Sequence, residues 1–189
     1  MKNDISRPAD IIENIFSELA LLFSEIEEAS IAPFIQTLKS GRRLFFYGAG
    51  RSGLAVRMAA MRFMHLGLAA HAVGEATCPA IAEGDVLLVA SGSGRTPGIV
   101  AAAEKAREAG AAVLAITTDA RSPLAGYAQR LIVLKAAVKD EHQHAASVQY
   151  AGSLFEQATL LLLDALFHLM WKASGQPADT LWTRHANME

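Results

Sequence analysis

Five short apolar runs, at residues 44–47, 69–73, 86–90, 113–117 and 131–134, recur along the chain with helix-like segments between them. Apolar runs of that length, bounded by glycine and small residues, read as strands buried on both faces. The stretches at 98–108, before Gly110, and at 122–128 leave room for crossover helices. Strands joined by crossovers pair in parallel, so the sequence predicts a parallel sheet covered by helices on both faces. Ile11, Ile12, Ile15, Leu19, Leu22 and Ile26 recur at helical spacing with glutamates between them, which predicts one amphipathic helix over about residues 8–40. A second helix, over 52–66, carries Leu54, Met58, Met61 and His65 on one side. The longest helical stretch, 147–173, is apolar on more than one face around Leu160 to Leu163, so it must be buried, part of it against another subunit. At 189 residues the chain suffices for one well-filled core and is short for two.

Two loops stand out at strand ends. Ser91-Gly92-Ser93-Gly94-Arg95-Thr96 follows a strand and leads through Pro97 into a helix, a setting in which free main-chain N–H groups and the helix dipole hold a phosphate. Gly48-Ala49-Gly50-Arg51-Ser52-Gly53 also follows a strand and matches the dinucleotide glycine pattern, with Glu75 at the expected acidic position. A dinucleotide enzyme gives no reason for the second loop, whereas two loops after neighbouring strands of an open sheet converge on one ligand. An ATP-type phosphate loop is absent, since no glycine-lysine-serine/threonine ending occurs.

Composition narrows the partner. A net charge of −2 offers no general attraction to nucleic acid or anionic membrane, and Arg42, Arg43, Arg57 and Arg62 form no basic stripe with interleaved aromatics. One cysteine, Cys78, permits no internal disulfide and fits a reducing compartment. No leader-like start and no uncharged apolar run of membrane length is present, so a cytoplasmic location is expected. Glu141, His142 and His144 have metal-ligand types, but two histidines at this spacing without a further ligand in view do not make a zinc site, and the segment reads as a solvated loop.

Gly48 to Gly53, Met61-Arg-Phe-Met-His-Leu-Gly67, Val73-Gly-Glu75, Ser91 to Gly94, Gly152-Ser-Leu-Phe-Glu-Gln157 and Arg184-His-Ala-Asn187 resemble the 6-phospho-3-hexuloisomerase family of the sugar isomerase (SIS) domain superfamily. The likeness runs in order from about residue 30 to the C-terminus. It implies a single SIS domain, a flavodoxin-like three-layer α/β/α sandwich with a five-stranded parallel sheet. Within it, the α/β core would cover about 41–175 and an active-site tail about 176–189. It also implies a dimer or tetramer, and conversion of a 3-keto hexose 6-phosphate to fructose 6-phosphate, as in formaldehyde fixation by the ribulose monophosphate pathway. Where the family has Glu after the second glycine of its serine loop, this chain has Arg95, which either adds a cation beside the phosphate or faces solvent. Another sugar-phosphate isomerase, or a non-catalytic sugar-phosphate sensor, remains an alternative; a sensor of this kind would lack a basic recognition helix.

Moving a carbonyl from C3 to C2 requires a base for the C2 proton and a carrier for the proton that passes between the oxygens. No cofactor or metal is required if donors stabilise the oxyanion. Glu156, in an apolar, aromatic-flanked segment, is the candidate base, because a partly buried carboxylate is a stronger one. His185 is the candidate carrier, flanked by Arg184 and Asn187 as groups suited to phosphate and hydroxyls, in a tail that folds over its own or a neighbour's site. His65 is a second acid/base candidate that is otherwise a core histidine. Gly50, Ser52, Glu75, Ser91, Gly92, Ser93, Gly94, Arg95 and Thr96 are the candidate substrate-binding residues.

Overall fold

The computed structural model describes residues 7–136 and 147–188. Five parallel strands, β1 (Leu44–Gly48), β2 (Ala70–Ala72), β3 (Val86–Ala90), β4 (Ala112–Thr117) and β5 (Arg130–Val133), form one sheet in the order β2-β1-β3-β4-β5. Side chains alternate along each strand, so Leu44, Phe46, Leu88, Leu114 and Ile116 face one layer while Phe45, Leu87, Val89, Val113 and Ala115 face the other. The first layer holds α1 (Pro8–Ser24), α2 (Glu28–Ser40), α3 (Gly50–His65) and α6 (Ser153–Ser174); the second holds α4 (Pro97–Glu108) and α5 (Pro123–Tyr127). A short α7 (Ala178–Trp182) follows α6. The expected three-layer α/β/α fold with a five-stranded parallel sheet is the one observed.

Three features differ from expectation. The opening helix is two helices, broken at Glu25–Glu27. Glu25, Glu27 and Glu28 would crowd like charge on a continuous helix, and Pro33 removes a donor from its second half. The break lets α1 pack on α6 while α2 packs near β5. The long helix begins at Ser153 rather than 147, because the preceding segment is spent on Glu18 of α1. That carboxylate accepts from Ser147 Oγ at 2.8 Å, Val148 N at 2.6 Å and Gln149 Nε2 at 2.8 Å. On α3, Leu54, Met58 and Met61 do not join His65 in the core; they are 63%, 54% and 59% exposed, while Val56, Ala59 and Phe63 face the sheet. By length and hydropathy α6 would suffice to cross a bilayer, but half of it is buried inside the protein, against α3 and α1, as expected of a core helix.

Asp85, fully buried at the start of β3, fixes the amino edge of the sheet. It accepts from Arg43 Nε at 3.0 Å and from Ala82 N at 2.9 Å, with Arg42 3.5 Å away. Burial by itself raises this carboxyl, but the Arg43 guanidinium, the Ala82 N–H and Arg42 outweigh it and hold Asp85 below the usual range. A depressed carboxyl stabilises the fold above its unfolded value of about 4 and loses that contribution as pH falls through its lower folded-state value. Asp85→Asn should cost about 3 kcal/mol at neutral pH and flatten the acid limb of a plot of urea midpoint against pH. An unchanged acid limb would place the sensitivity elsewhere.

Candidate active site

The strand order reverses between β1 and β3: β1 leads outward to β2 on one side and β3 to β4 on the other. Open α/β sheets leave a crevice beyond the carboxyl ends of their strands at such a point. Both glycine loops arise there, since Gly48 at the end of β1 stands in register with Ala90 at the end of β3.

The first loop turns tightly into α3. A Cβ on Gly53 would lie 2.6 Å from Gly48 O, and one on Gly48 would lie 2.9 Å from Gly53 Cα. The first and last glycines of the pattern thus serve the close packing of β1 on α3, a need that arises without any dinucleotide. Ser52 is buried in the first turn of α3. In the second loop Ser91 Oγ and Thr96 Oγ1 are 3.0 Å apart, and the Gly92 carbonyl is held by Thr117 Oγ1 at 3.0 Å, Thr118 N at 3.0 Å and Thr118 Oγ1 at 2.9 Å. Neither α3 nor α4 has an acidic residue in its first turn. Among the described residues the N–H groups of Gly50, Arg51, Ser52, Gly92, Ser93 and Thr96 have no protein acceptor. Two uncompensated helix starts with free donors have the chemistry that suits a dianion such as phosphate.

Gly94 completes the turn of the second loop, its N–H bonding Ser91 O. Arg95 turns outward, 62% exposed, with Nη2 3.5 Å from Asp119 Oδ2, while its N–H bonds Ser93 Oγ at 3.2 Å. Glu75 is exposed in the turn after β2, at the same carboxyl edge one strand beyond the first loop.

The first turns of α6 bridge the two loops. Phe155 packs beside Gly92, and Glu156, 6% exposed, is paired with Arg51, whose Nε is 2.5 Å from Oε2. Sequence reasoning did not single out Arg51. The signal was available: a cation in the first turn of a helix opposes the dipole and calls for a nearby carboxylate.

His185 and His65 lie elsewhere. Their rings stack at 3.8 Å between centroids with 21° between planes, and Trp182 packs on His185 at 4.7 Å. Burial, aided by His185 and Arg62, pushes the His65 imidazolium below its ordinary pKa. Its Nδ1 has no hydrogen-bond partner among the described residues. The pair sits at the far end of α3, about 21 Å along the helix from Arg51 at roughly 1.5 Å per residue. Within one protomer Glu156 and His185 are therefore apart. Arg184 bonds His65 O at 2.9 Å and Gln176 Oε1 at 3.1 Å. Glu141, His142 and His144 lie outside the described residues, and among those described no group of three or more His, Cys, Asp or Glu could hold a metal ion.

Comparison with known proteins agrees with this architecture. Residues 37–169 match the SIS domain family. A 3-hexulose-6-phosphate isomerase of Mycobacterium gastri is 45% identical over 99% of this chain and 92% of its own length. One from Bacillus subtilis is 36% identical over 96% of each chain. A crystal structure from Methanococcus jannaschii, with an inferred molecular function of 3-hexulose-6-phosphate isomerase, superposes with a TM-score of 0.80 at 26% identity, covering 95% of this chain and 99% of the other. The chain belongs to the SIS domain family and, within it, groups with the 3-hexulose-6-phosphate isomerases.

Proposed function

We propose that this chain is a cytoplasmic 3-hexulose-6-phosphate isomerase that forms fructose 6-phosphate through an enediol without a metal, on a substrate delivered by formaldehyde fixation. The observation that carries the reading is the seat of Glu156: a buried carboxylate held by Arg51 of one phosphate-type loop while its neighbour Phe155 packs on the other. A phosphate in the loops leaves the carbon chain lying across this carboxylate. The C3 ketone cannot close a five-membered ring, because the C6 oxygen carries the phosphate, so the substrate arrives open-chain. Glu156 removes the C2 proton, the enediol forms across C2 and C3, and the same carboxyl returns the proton to C3. Meanwhile O2 loses a proton and O3 gains one, the transfer assigned to His185. Main-chain donors of the helix starts stabilise the charge developing on the oxygens.

His185 serves this reaction from a neighbouring subunit in a homo-oligomer. The exposed stripe Leu54, Met58 and Met61 runs along α3 and suits a two-fold contact between copies. An antiparallel contact centred on Met58 sets Arg51 opposite the neighbour's residue 65, because each lies seven residues from the centre. Helices packed about 8–10 Å apart would then bring the neighbour's histidine pair to the edge of the Glu156 crevice.

Incubation with 3-hexulose 6-phosphate separates the alternatives. Fructose 6-phosphate formed without added cofactor supports the isomerase; binding without turnover would indicate a sensor, and a nicotinamide absorbance change a dehydrogenase. Glu156→Gln should lower kcat by about 10²–10⁴-fold with the oligomer intact by light scattering. Met58→Glu should yield monomers with little activity. Mixing inactive Glu156→Gln and His185→Gln chains, after subunit exchange, should restore about a quarter of wild-type turnover, because half the dimers then hold one site with both groups. No recovery on proven exchange would place both groups in one subunit's site.

A further inference from the structure

The end of α3 closes in a Schellman arrangement: Gly67 N bonds Met64 O at 2.8 Å and Leu68 N bonds Phe63 O at 3.1 Å, while Leu66 N takes Arg62 O at 3.1 Å. Two carbonyls, those of His65 and Leu66, fall outside this pattern and point along the negative end of the helix dipole. The C-terminal segment supplies a donor to each. Arg184 Nη1 bonds His65 O at 2.9 Å, and Gln176 Nε2 bonds Leu66 O at 3.3 Å. The two side chains also brace one another, Arg184 Nη1 lying 3.1 Å from Gln176 Oε1. Gly67, with φ +96°, lets the guanidinium lie on bare backbone: a Cβ there would stand 3.1 Å from Arg184 Cζ.

The next residue is His185, whose ring stacks on the ring of His65. Residue 65 is therefore gripped twice by consecutive residues, at its carbonyl by Arg184 and at its imidazole by His185. We propose that Arg184, braced by Gln176, is a positioning residue that caps α3 and thereby sets the His185 imidazole for proton transfer. This rests on the role of His185 proposed above. Arg184 bonds the main-chain carbonyl of His65 and the Gln176 side chain, so its removal should lower kcat while leaving substrate affinity in place. Both bonds come from Nη1, whose two N–H groups are fixed in direction by the planar guanidinium; a lysine ammonium on a flexible stem holds no such fixed pair.

Steady-state kinetics of Arg184→Gln, Arg184→Lys and the milder Gln176→Ala with 3-hexulose 6-phosphate test this, together with proton NMR of the histidine rings, His185 being identified by its loss in His185→Gln. For Arg184→Gln, kcat should fall at least about tenfold with KM within about threefold, and the ring-current shift that His65 imposes on His185 should collapse. Arg184→Lys and Gln176→Ala should show smaller losses of the same kind. A large rise in KM with kcat retained would make Arg184 a substrate contact and overturn the proposal. A preserved ring-current shift in Arg184→Gln would overturn it as well. If the wild-type protein converts no hexulose phosphate, the functional reading fails separately, and the ring-current comparison still decides whether Arg184 positions His185.

Discussion

α3 and α6 run in the same direction and are tied together at both ends. At the carboxyl edge of the sheet Arg51 in the first turn of α3 holds Glu156 in the first turns of α6. At the amino edge Gln176 and Arg184, just beyond α6, hold the carbonyls that close α3. Each tie meets a helix end where charge is unbalanced, a cation at the positive pole being neutralised by a carboxylate and free carbonyls at the negative pole by amide and guanidinium donors. Between them lies a continuous apolar seam that includes Phe63, Ala158 and Leu162. Parallel alignment follows from these fixed ends, and with it the placement of every candidate group on this side of the sheet.

That alignment divides the chemistry in space. The phosphate-type loops and Glu156 gather where the strand order reverses, while the His65 and His185 rings stack a helix length away. The same α3 presents an exposed apolar stripe centred between the two groups. A rigid helix with a buried carboxylate paired at one end, a stacked histidine pair at the other and an apolar middle is suited to antiparallel pairing, which in the proposed assembly would complete two sites at once.

The glycine pattern at Gly48, Gly50 and Gly53 illustrates how a motif can be mechanically satisfied without its usual ligand. Its outer members are explained by the approach of α3 to the end of β1. The loop at Ser91 to Thr96 similarly builds its shape from internal hydroxyl and threonine contacts, leaving main-chain donors outward. Anion affinity in such a site comes from backbone and dipole, so net charge reveals nothing of it.

Strand positions were legible because a strand buried on both faces needs a run such as Val86 to Ala90 that is apolar at every position, a local property of the chain. The two loops were legible for the same reason, since glycine and hydroxyl residues at a strand end limit what the backbone there can do. Glu156 stood out as a carboxylate in an apolar segment, but its partner Arg51, 105 residues away, did not. The break between α1 and α2, the start of α6 and the outward face of Leu54, Met58 and Met61 were decided by which surfaces the helices met after folding. Arg184 reads in sequence as a cation suited to phosphate, and only packing shows it bonded to the His65 carbonyl at the end of α3 and to Gln176. Local backbone preference and burial pattern thus determined the elements and the sheet. Long-range pairing of charges and helix termini, which leaves no periodic trace in sequence, decided where the candidate site residues stand relative to one another.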